Sequence, residues 1–320
     1  MLKLRSFGKT GLAVSERGFG AWALGGASYG PVAADDAISA LACAEELGCN
    51  FVDTAEVYGE SEARLGRFFC GGRRERWVVA SKYSGQPQGM TALVEEQLRR
   101  LRTDRIDFYQ LHWAPRGHEL KLYEELDRLK LSGKIRYCGA SLRLGPDIDH
   151  VLAHSHIDGV QLPVSLLDPD PLSARREQIR ARGLALVARS ALRGGFLAGR
   201  YDETSVFSGD GDQRAQWERS RIRDTAQQAR AFGFAAQAAG SAHAAAVAYV
   251  LSFPEVSTVI LGCKNASQAS SNFGPAVPPA LDAATLQRIR RTQQELGLFH
   301  AGRARRLWNR LRGSLAIVNA

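Results

Sequence analysis

Eight short apolar runs punctuate the chain, near residues 18–23, 49–53, 77–81, 106–111, 135–140, 159–163, 185–190 and 256–261. Runs of this length, bounded by glycine and charge, fit strands buried on both faces, as a parallel sheet requires. Most are separated by stretches in which apolar positions recur every three or four residues. The clearest are 34–47, with Ile38, Leu41, Ala42, Ala44 and Leu47 on one face, then 89–102, 119–132 and 173–182. Strands spaced mostly 25 to 30 residues apart and joined by helices predict parallel pairing with right-handed crossovers. Eight such units close into an α/β fold of the (β/α)8, or TIM barrel, type. The competing doubly wound sheet calls for GxGxxG after an early strand, and the sequence has none. Ahead of the first barrel strand, LKLRSF and LAVSERGFG flank GKTG, which predicts an N-terminal β-hairpin turning at Gly8 and Gly11. Residues 200–221 are polar and rich in Gly and Asp; a loop of this length is usually functional, and it leaves the C-terminal end of the seventh strand, where barrel sites form.

Composition narrows the picture. With 320 residues, 45% of them hydrophobic, one barrel domain absorbs residues 1–320, ending in a basic tail over about 300–320. No apolar run approaches the roughly 20 residues of a membrane span, and Met1 is followed by Leu-Lys-Leu-Arg instead of an apolar leader. A soluble, cytoplasmic protein with no membrane partner is expected. The five cysteines are scattered without a CxxC pair, so neither disulfides nor a metal site is expected. Of the net charge of +9, five charges are Arg303, Arg305, Arg306, Arg310 and Arg312, leaving +4 for the rest. The excess is a tail property, and no nucleic-acid partner is expected. The tail is expected to form a short helix around Leu307, Trp308 and Leu311 that docks on the barrel or on a second copy, a route to an oligomer.

Candidate chemistry sits at three successive strand ends. FVDTAEVYG places Asp53 at the end of an apolar run and Tyr58 five residues later; WVVASK ends on Lys82, and IDFYQLHW brings His112 to the same level. A buried aspartate needs a cation. A lysine beside a tyrosine favours the phenolate, whose ordinary pKa is about 10. Lys82 held by Asp53 is therefore expected to draw Tyr58 toward neutrality, with His112 polarising a carbonyl oxygen. Taken singly, Asp53 and Lys82 read as a structural ion pair, Tyr58 as a packed aromatic and His112 as a satisfied core histidine; only together do they point to carbonyl reduction.

The chain resembles the aldo-keto reductases of bacteria. The resemblance is carried by LRSFGKTGLAVSERGFGAWALGG, DTAEVYGESEARLG, SKY, EEQLRRLRTDRIDFYQLHW, GVQLPVSLLD, ALVARSALRGGFLAGRY and VSTVILGCKNASQASSN, from residue 2 to about 272. It implies a barrel with an extended NADPH (or NADP+) across its C-terminal face and a catalytic tetrad falling on Asp53, Tyr58, Lys82 and His112. It further implies that Lys264, Asn265, Gln268 and Asn272 meet the adenosine phosphate, with Ser271 where an acid is often found. Ser141 and Gln161 match the contacts to the nicotinamide amide, although Leu142 stands where many relatives have Asn. Arg189 takes the place of a stacking tyrosine. Ala191, Leu192, Gly194 and Leu197 after the seventh strand, together with Gly20, Trp22 and Gly262, complete the implied cofactor set. The activity implied is reduction of an aldehyde or ketone, in one reading a sugar or secondary-metabolite intermediate, to an alcohol. Two other readings remain open: a cofactor-binding regulatory module without turnover, and the same site acting on a conjugated or cyclic-imine substrate. Trp22, Tyr29, Tyr83 and Trp113 are candidates for an aromatic substrate pocket. Arg116, Arg143 and Arg193 are candidates to meet a substrate anion, whereas Asp212 and Arg214 in the long loop are expected to be a solvated pair.

Overall fold

The N-terminal hairpin, β1 (Leu4–Ser6) antiparallel to β2 (Ala13–Ser15), closes the floor of a barrel. In a computed structural model of the chain, the structure describes residues 1–299 apart from 27, 86–88, 116, 118, 155, 210 and 275–279. The expected docking helix of the tail lies outside these residues. The barrel strands are β3 (Arg17–Gly20), β4 (Phe51–Asp53), β5 (Val78–Tyr83), β6 (Ile106–Leu111), β7 (Ile135–Ser141), β8 (Gly159–Pro163), β9 (Ala185–Arg189) and β10 (Thr258–Gly262). They pair in that order, all parallel, and β10 returns to β3 to close the ring. All eight apolar runs became barrel strands.

The two-residue period of a strand sorts these side chains into an inner and an outer set. Inside and low, Phe51, Val78, Ala80, Phe108, Ala185 and Val187 form one cluster with Phe7 and Val14 of the hairpin. Phe7 meets Phe108 edge-on at 5.1 Å between ring centroids and Phe51 at 5.5 Å, so the hairpin stoppers the barrel with an aromatic ring. Gly8 turns with φ +56°, and a Cβ there would run into the Ala185 and Gly183 backbone. Two residues further along the same inward rows come Asp53, Lys82, Gln110 and Arg189, which makes the upper layer polar. The outward rows, among them Val52, Val79, Tyr83, Tyr109, Val160 and Leu186, pack under the surrounding helices in the main core.

The helices Ala34–Glu46, Met90–Leu101 and Glu119–Leu131 match the expected spans within a residue or two. The stretch 173–182 differs. It breaks into Asp170–Ser173 and Arg176–Ala181 because Arg175 at the junction sends its guanidinium to Asp149 at 2.7 and 2.9 Å and to the carbonyls of Asp170 and Pro171. The long loop after β9 folds back over the mouth of the barrel. Tyr29 bridges Asp212, Gly30 N donates to Gly211 O at 3.2 Å, and Gln213 N donates to Ser28 O at 3.0 Å. Arg214 is 8% exposed and lies over the rings of Tyr29, Tyr201 and Phe207 at 5.1, 4.7 and 4.3 Å. The Asp212–Arg214 pair is therefore the buried anchor of a strap, not the solvated pair expected, because neighbouring aromatic side chains converge on the guanidinium. Among the described residues no single helix is long and apolar enough to cross a membrane, and no cluster of His, Cys, Asp and Glu is placed to hold a metal.

Candidate active site

Asp53 ends β4 and Lys82 lies on the inward row of β5, so adjacent strands bring the two side chains together. Lys82 is fully buried; its Nζ donates to Asp53 Oδ2 at 2.6 Å and to the Thr54 carbonyl at 2.8 Å. The other carboxylate oxygen accepts from Gln161 Nε2 at 2.7 Å and Gln110 Nε2 at 3.1 Å. Saturating hydrogen bonds of this kind are what a buried ion pair needs to offset its desolvation. Burial alone would lower the lysine pKa, but Asp53 and Tyr58 together hold it above the ordinary lysine value, so the ammonium stays charged.

Tyr58 rides on the loop that leaves β4. That loop is pinned to the glycine-rich segment after β3, where a Cβ on Gly25 would collide with the Tyr58 carbonyl. The phenol ring lies 4.7 Å from Lys82 Nζ, and Trp22 stacks on it at 5.8 Å. Burial pushes the phenol above its ordinary pKa, and Lys82 pulls it back only in part. The expectation that the lysine draws Tyr58 toward neutrality is thus corrected: withdrawing the ring from water is the larger effect, and the group is a protonated phenol at neutral pH. His112 follows β6 and meets the Tyr58 ring edge-on at 6.2 Å. Its Nδ1 lies 3.0 Å from Ser84 Oγ. Burial, reinforced by Lys82, lowers the imidazole to about 4, so it is neutral. In the tautomer that accepts the Ser84 hydroxyl at Nδ1, the ring proton is on Nε2.

All four residues expected at the strand ends converge. The residues expected to meet a cofactor converge less evenly. Gly20 and Gly262 stand in register, and a Cβ built on either finds no atom nearer than 3.5 Å, leaving open floor at the top of β3 and β10. Asn265 caps the helix Ala266–Phe273 by accepting from Gln268 N at 3.0 Å, and Gln268 Oε1 accepts from Lys264 N at 3.0 Å. Lys264 Nζ donates to the Tyr29 carbonyl at 2.8 Å, which joins this helix start to the strap. Ser141 Oγ donates to Gln161 Oε1 at 2.9 Å, so these two hold each other and Asp53.

Asn272 is held by contacts within the chain. It is buried, donating to the Gly262 carbonyl at 3.1 Å and meeting His243 Nε2 at 2.9 Å, so both ends of its amide serve the fold. Ala191 and Leu197 are likewise core residues, and Leu192 is half-buried beside them. Gly194 gives its carbonyl to Arg214 Nη1 at 2.9 Å. The turn around it holds two non-glycine residues with left-handed backbone, Ser190 at φ 62° and Arg193 at φ 47°. Of the candidate pocket, Trp22 is 37% exposed, Tyr29 meets it edge-on at 5.4 Å, and Trp113 is half-buried. Tyr83 is corrected: it is 1% exposed and packs outside the strand, because it follows the inward Lys82 by one residue. Arg116 lies outside the described residues.

Sequence reading missed Ser84, Gln110 and a buried network behind Lys82. There Glu62 accepts from Ser81 Oγ at 2.8 Å and from Gln97 Nε2 at 2.7 Å, and Tyr109 OH donates to Gln97 Oε1 at 2.7 Å. Strand parity places Gln110 on the row of Phe108 and was a usable signal; no local pattern announces the rest.

Known proteins agree with this geometry. L-galactose dehydrogenase of Arabidopsis thaliana is 32% identical over 223 residues, covering 61% of this chain and 67% of that one. 6-Dehydroglucose reductase of Novosphingobium aromaticivorans is 30% identical over 219 residues, covering 61% and 70%. Among solved structures, the aldo-keto reductase AKR11C1 of Bacillus halodurans in its holo form superposes with a TM-score of 0.78 at 26% identity, over 91% of this chain and 96% of that one. The family model described as Aldo/keto reductase family matches residues 18–293, a span that takes in every residue of the polar cluster and the barrel strands but for Arg17 at the start of β3, and the chain belongs to that family.

Proposed function

We propose that the protein reduces an aldehyde or ketone to an alcohol with NADPH, using Tyr58 as general acid. The observation that carries this reading is the joint state of the cluster: a protonated phenol and a neutral imidazole side by side over a charged, fully hydrogen-bonded Lys82–Asp53 pair. When bound, the reduced nicotinamide supplies the hydride that goes to the carbonyl carbon. His112 Nε2–H donates to the carbonyl oxygen and orients it. As the C=O π bond breaks, the oxygen takes the Tyr58 proton, and Lys82, held charged by Asp53, stabilises the phenolate left behind. Trp22, stacked on Tyr58, keeps water from one side of the phenol.

The residues present fit such a cofactor. The open floor at Gly20 and Gly262 admits a ring or sugar close to the backbone, and Lys264 beside the start of the helix Ala266–Phe273 adds a cation near a helix N-terminus for a phosphate dianion. Lys264 is the reason to favour NADPH over NADH. The relatives named for L-galactose and 6-dehydroglucose lend support to a sugar-like carbonyl compound as substrate.

The test is tryptophan quenching with NADPH and NADH, together with a screen of aldehydes and keto sugars read at the nicotinamide absorbance. Tight NADPH binding and turnover that falls at least about a thousandfold in Tyr58→Phe, with nucleotide affinity kept, is the expected result. Binding without turnover of any carbonyl would overturn the reductase reading in favour of a regulatory module.

A further inference from the structure

The cations at the barrel mouth divide into those that hold a carboxylate and those that do not. Lys82 holds Asp53, Arg193 Nη1 reaches both oxygens of Asp168 at 3.1 and 2.9 Å, and Arg214 is clasped by Asp212 at 3.0 and 2.6 Å. Arg189 and Arg143 have no carboxylate partner among the described residues. Arg189 ends β9 on the inward parity of Ala185 and Val187, so its side chain enters the mouth above the Lys82–Asp53 pair. Its two hydrogen bonds go to neutral acceptors: Nη2 to the Leu142 carbonyl at 3.1 Å and Nη1 to Ser190 Oγ at 3.3 Å. A guanidinium has five N–H donors, so three remain for a ligand.

Arg143 follows Leu142, whose carbonyl Arg189 grips, and is exposed at the rim, so two positive charges stand next to each other. Burial lowers the Arg189 pKa, and the neighbouring charge of Arg143 lowers it further. Asp53 and Asp168 act on Arg189 from nearby, but each already holds another cation, Lys82 and Arg193. The Lys82–Asp53 pair is neutral as a unit, His112 is neutral, and Glu56 on the Tyr58 loop turns its carboxylate to the Ser84 amide. The turn that carries Arg189 also holds left-handed backbone at Ser190 and Arg193, the kind of local strain that persists where a site needs it.

We infer that the substrate is an anionic carbonyl compound, an aldehyde or ketone bearing a carboxylate or phosphate monoester, whose oxyanion Arg189 takes with its free donors while Arg143 adds charge at the rim. This rests on the reductase reading for its chemistry but not for its binding. An oxyanion satisfies the fork bidentately and relieves the repulsion between the two guanidiniums. It would also hold the carbonyl end of the same molecule toward Tyr58 and His112.

The experiment compares matched pairs on the full chain with NADPH: 4-carboxybenzaldehyde against 4-methylbenzaldehyde, and succinic semialdehyde against butanal. The expected result is at least about a tenfold preference in kcat/KM for each acid, expressed mainly in KM. Arg143→Gln should cut that preference severalfold with the neutral partners unchanged, and Arg189→Gln should abolish it. Equal rates within each pair, or a preference that survives both substitutions, would overturn the inference. Nucleotide affinity is titrated alongside: variants that lose NADPH binding while keeping the acid preference would show that these cations serve the cofactor phosphates, which also overturns it. Benzoate is titrated by tryptophan quenching so that turnover is not required. Saturable binding in the native chain that Arg189→Gln removes supports the anion site even if no carbonyl is reduced, and absence of saturable binding sinks it.

Discussion

Lys82 keeps its charge at full burial because Asp53 and the Thr54 carbonyl take its protons, while Gln110 and Gln161 saturate the carboxylate behind it. Lys82→Met should therefore leave an uncompensated carboxylate and cost about 3–5 kcal/mol. Adding Asp53→Asn to the same chain should recover most of that loss. Urea titrations of the single and double variants decide it, and equal stabilities would show that the pair is not what holds the layer. The same cluster fixes the pH dependence. The imidazole, lowered to about 4, does not titrate near neutrality, and the general acid must be protonated to act. Since burial raises the phenol above its ordinary range, kcat/KM for reduction should stay level from about pH 6 to 9 and fall only above the ordinary phenol pKa of about 10. A descending limb centred near pH 7 would restore the view that Lys82 dominates Tyr58. Which residues meet at the site was legible in sequence, because each strand end carries its own polar residue. Which way the Tyr58 proton equilibrium moves was not, since it depends on how far the ring is withdrawn from water by Trp22 and the loop. Tyr83 was legible and misread: one residue after Lys82, it had to face away.

Elements with a regular period were readable, and those held by long-range contacts were not. Every barrel strand lay on an apolar run, and the helices 34–47, 89–102 and 119–132 on an amphipathic one. The strap over residues 200–217 has no period at all. Its hold comes from Arg214, which donates to Asp212 and to the Gly194 carbonyl while lying among the rings of Tyr29, Tyr201 and Phe207. Tyr201, Phe207 and Trp217 of this element pack with Phe196, just before it, in a satellite cluster apart from the main core. Removing the guanidinium leaves Asp212 half-buried without its partner and the rings without their cation, a loss of about 2–3 kcal/mol confined to this element. Arg214→Ala should thus be cut by trypsin or chymotrypsin within 200–217 under conditions where the native strap resists, with the remaining barrel intact. Cleavage at the same rate in both chains would mean that the backbone pairing of Gly30 with Gly211 and of Gln213 with Ser28 suffices to hold the strap.

At the scale of the whole molecule, the barrel is a stack of two unlike layers: an aromatic and aliphatic floor sealed by Phe7, and a polar upper layer open to the mouth. Burial around both layers raises several groups that lose a proton in alkali. Cys49 is raised to about 12 and Cys138 to about 11 from an ordinary 9.0, and Tyr249 to about 12 from 10.0, each chiefly by burial. A group whose folded pKa lies above its unfolded one keeps its proton in the folded chain after the unfolded chain has released it. The stability it contributes is complete below the unfolded value and is lost as pH rises toward the folded one. For each buried thiol the loss is about 1.4 kcal/mol per pH unit once pH exceeds 9. Urea midpoints should accordingly hold steady from about pH 7 to 8.5 and then fall steeply to pH 10.5. The chain with Cys49→Ala and Cys138→Ala starts lower, because each substitution removes packed volume, but it should fall less steeply over the same interval. Parallel pH curves for the two chains would show that these two thiols contribute nothing to the slope.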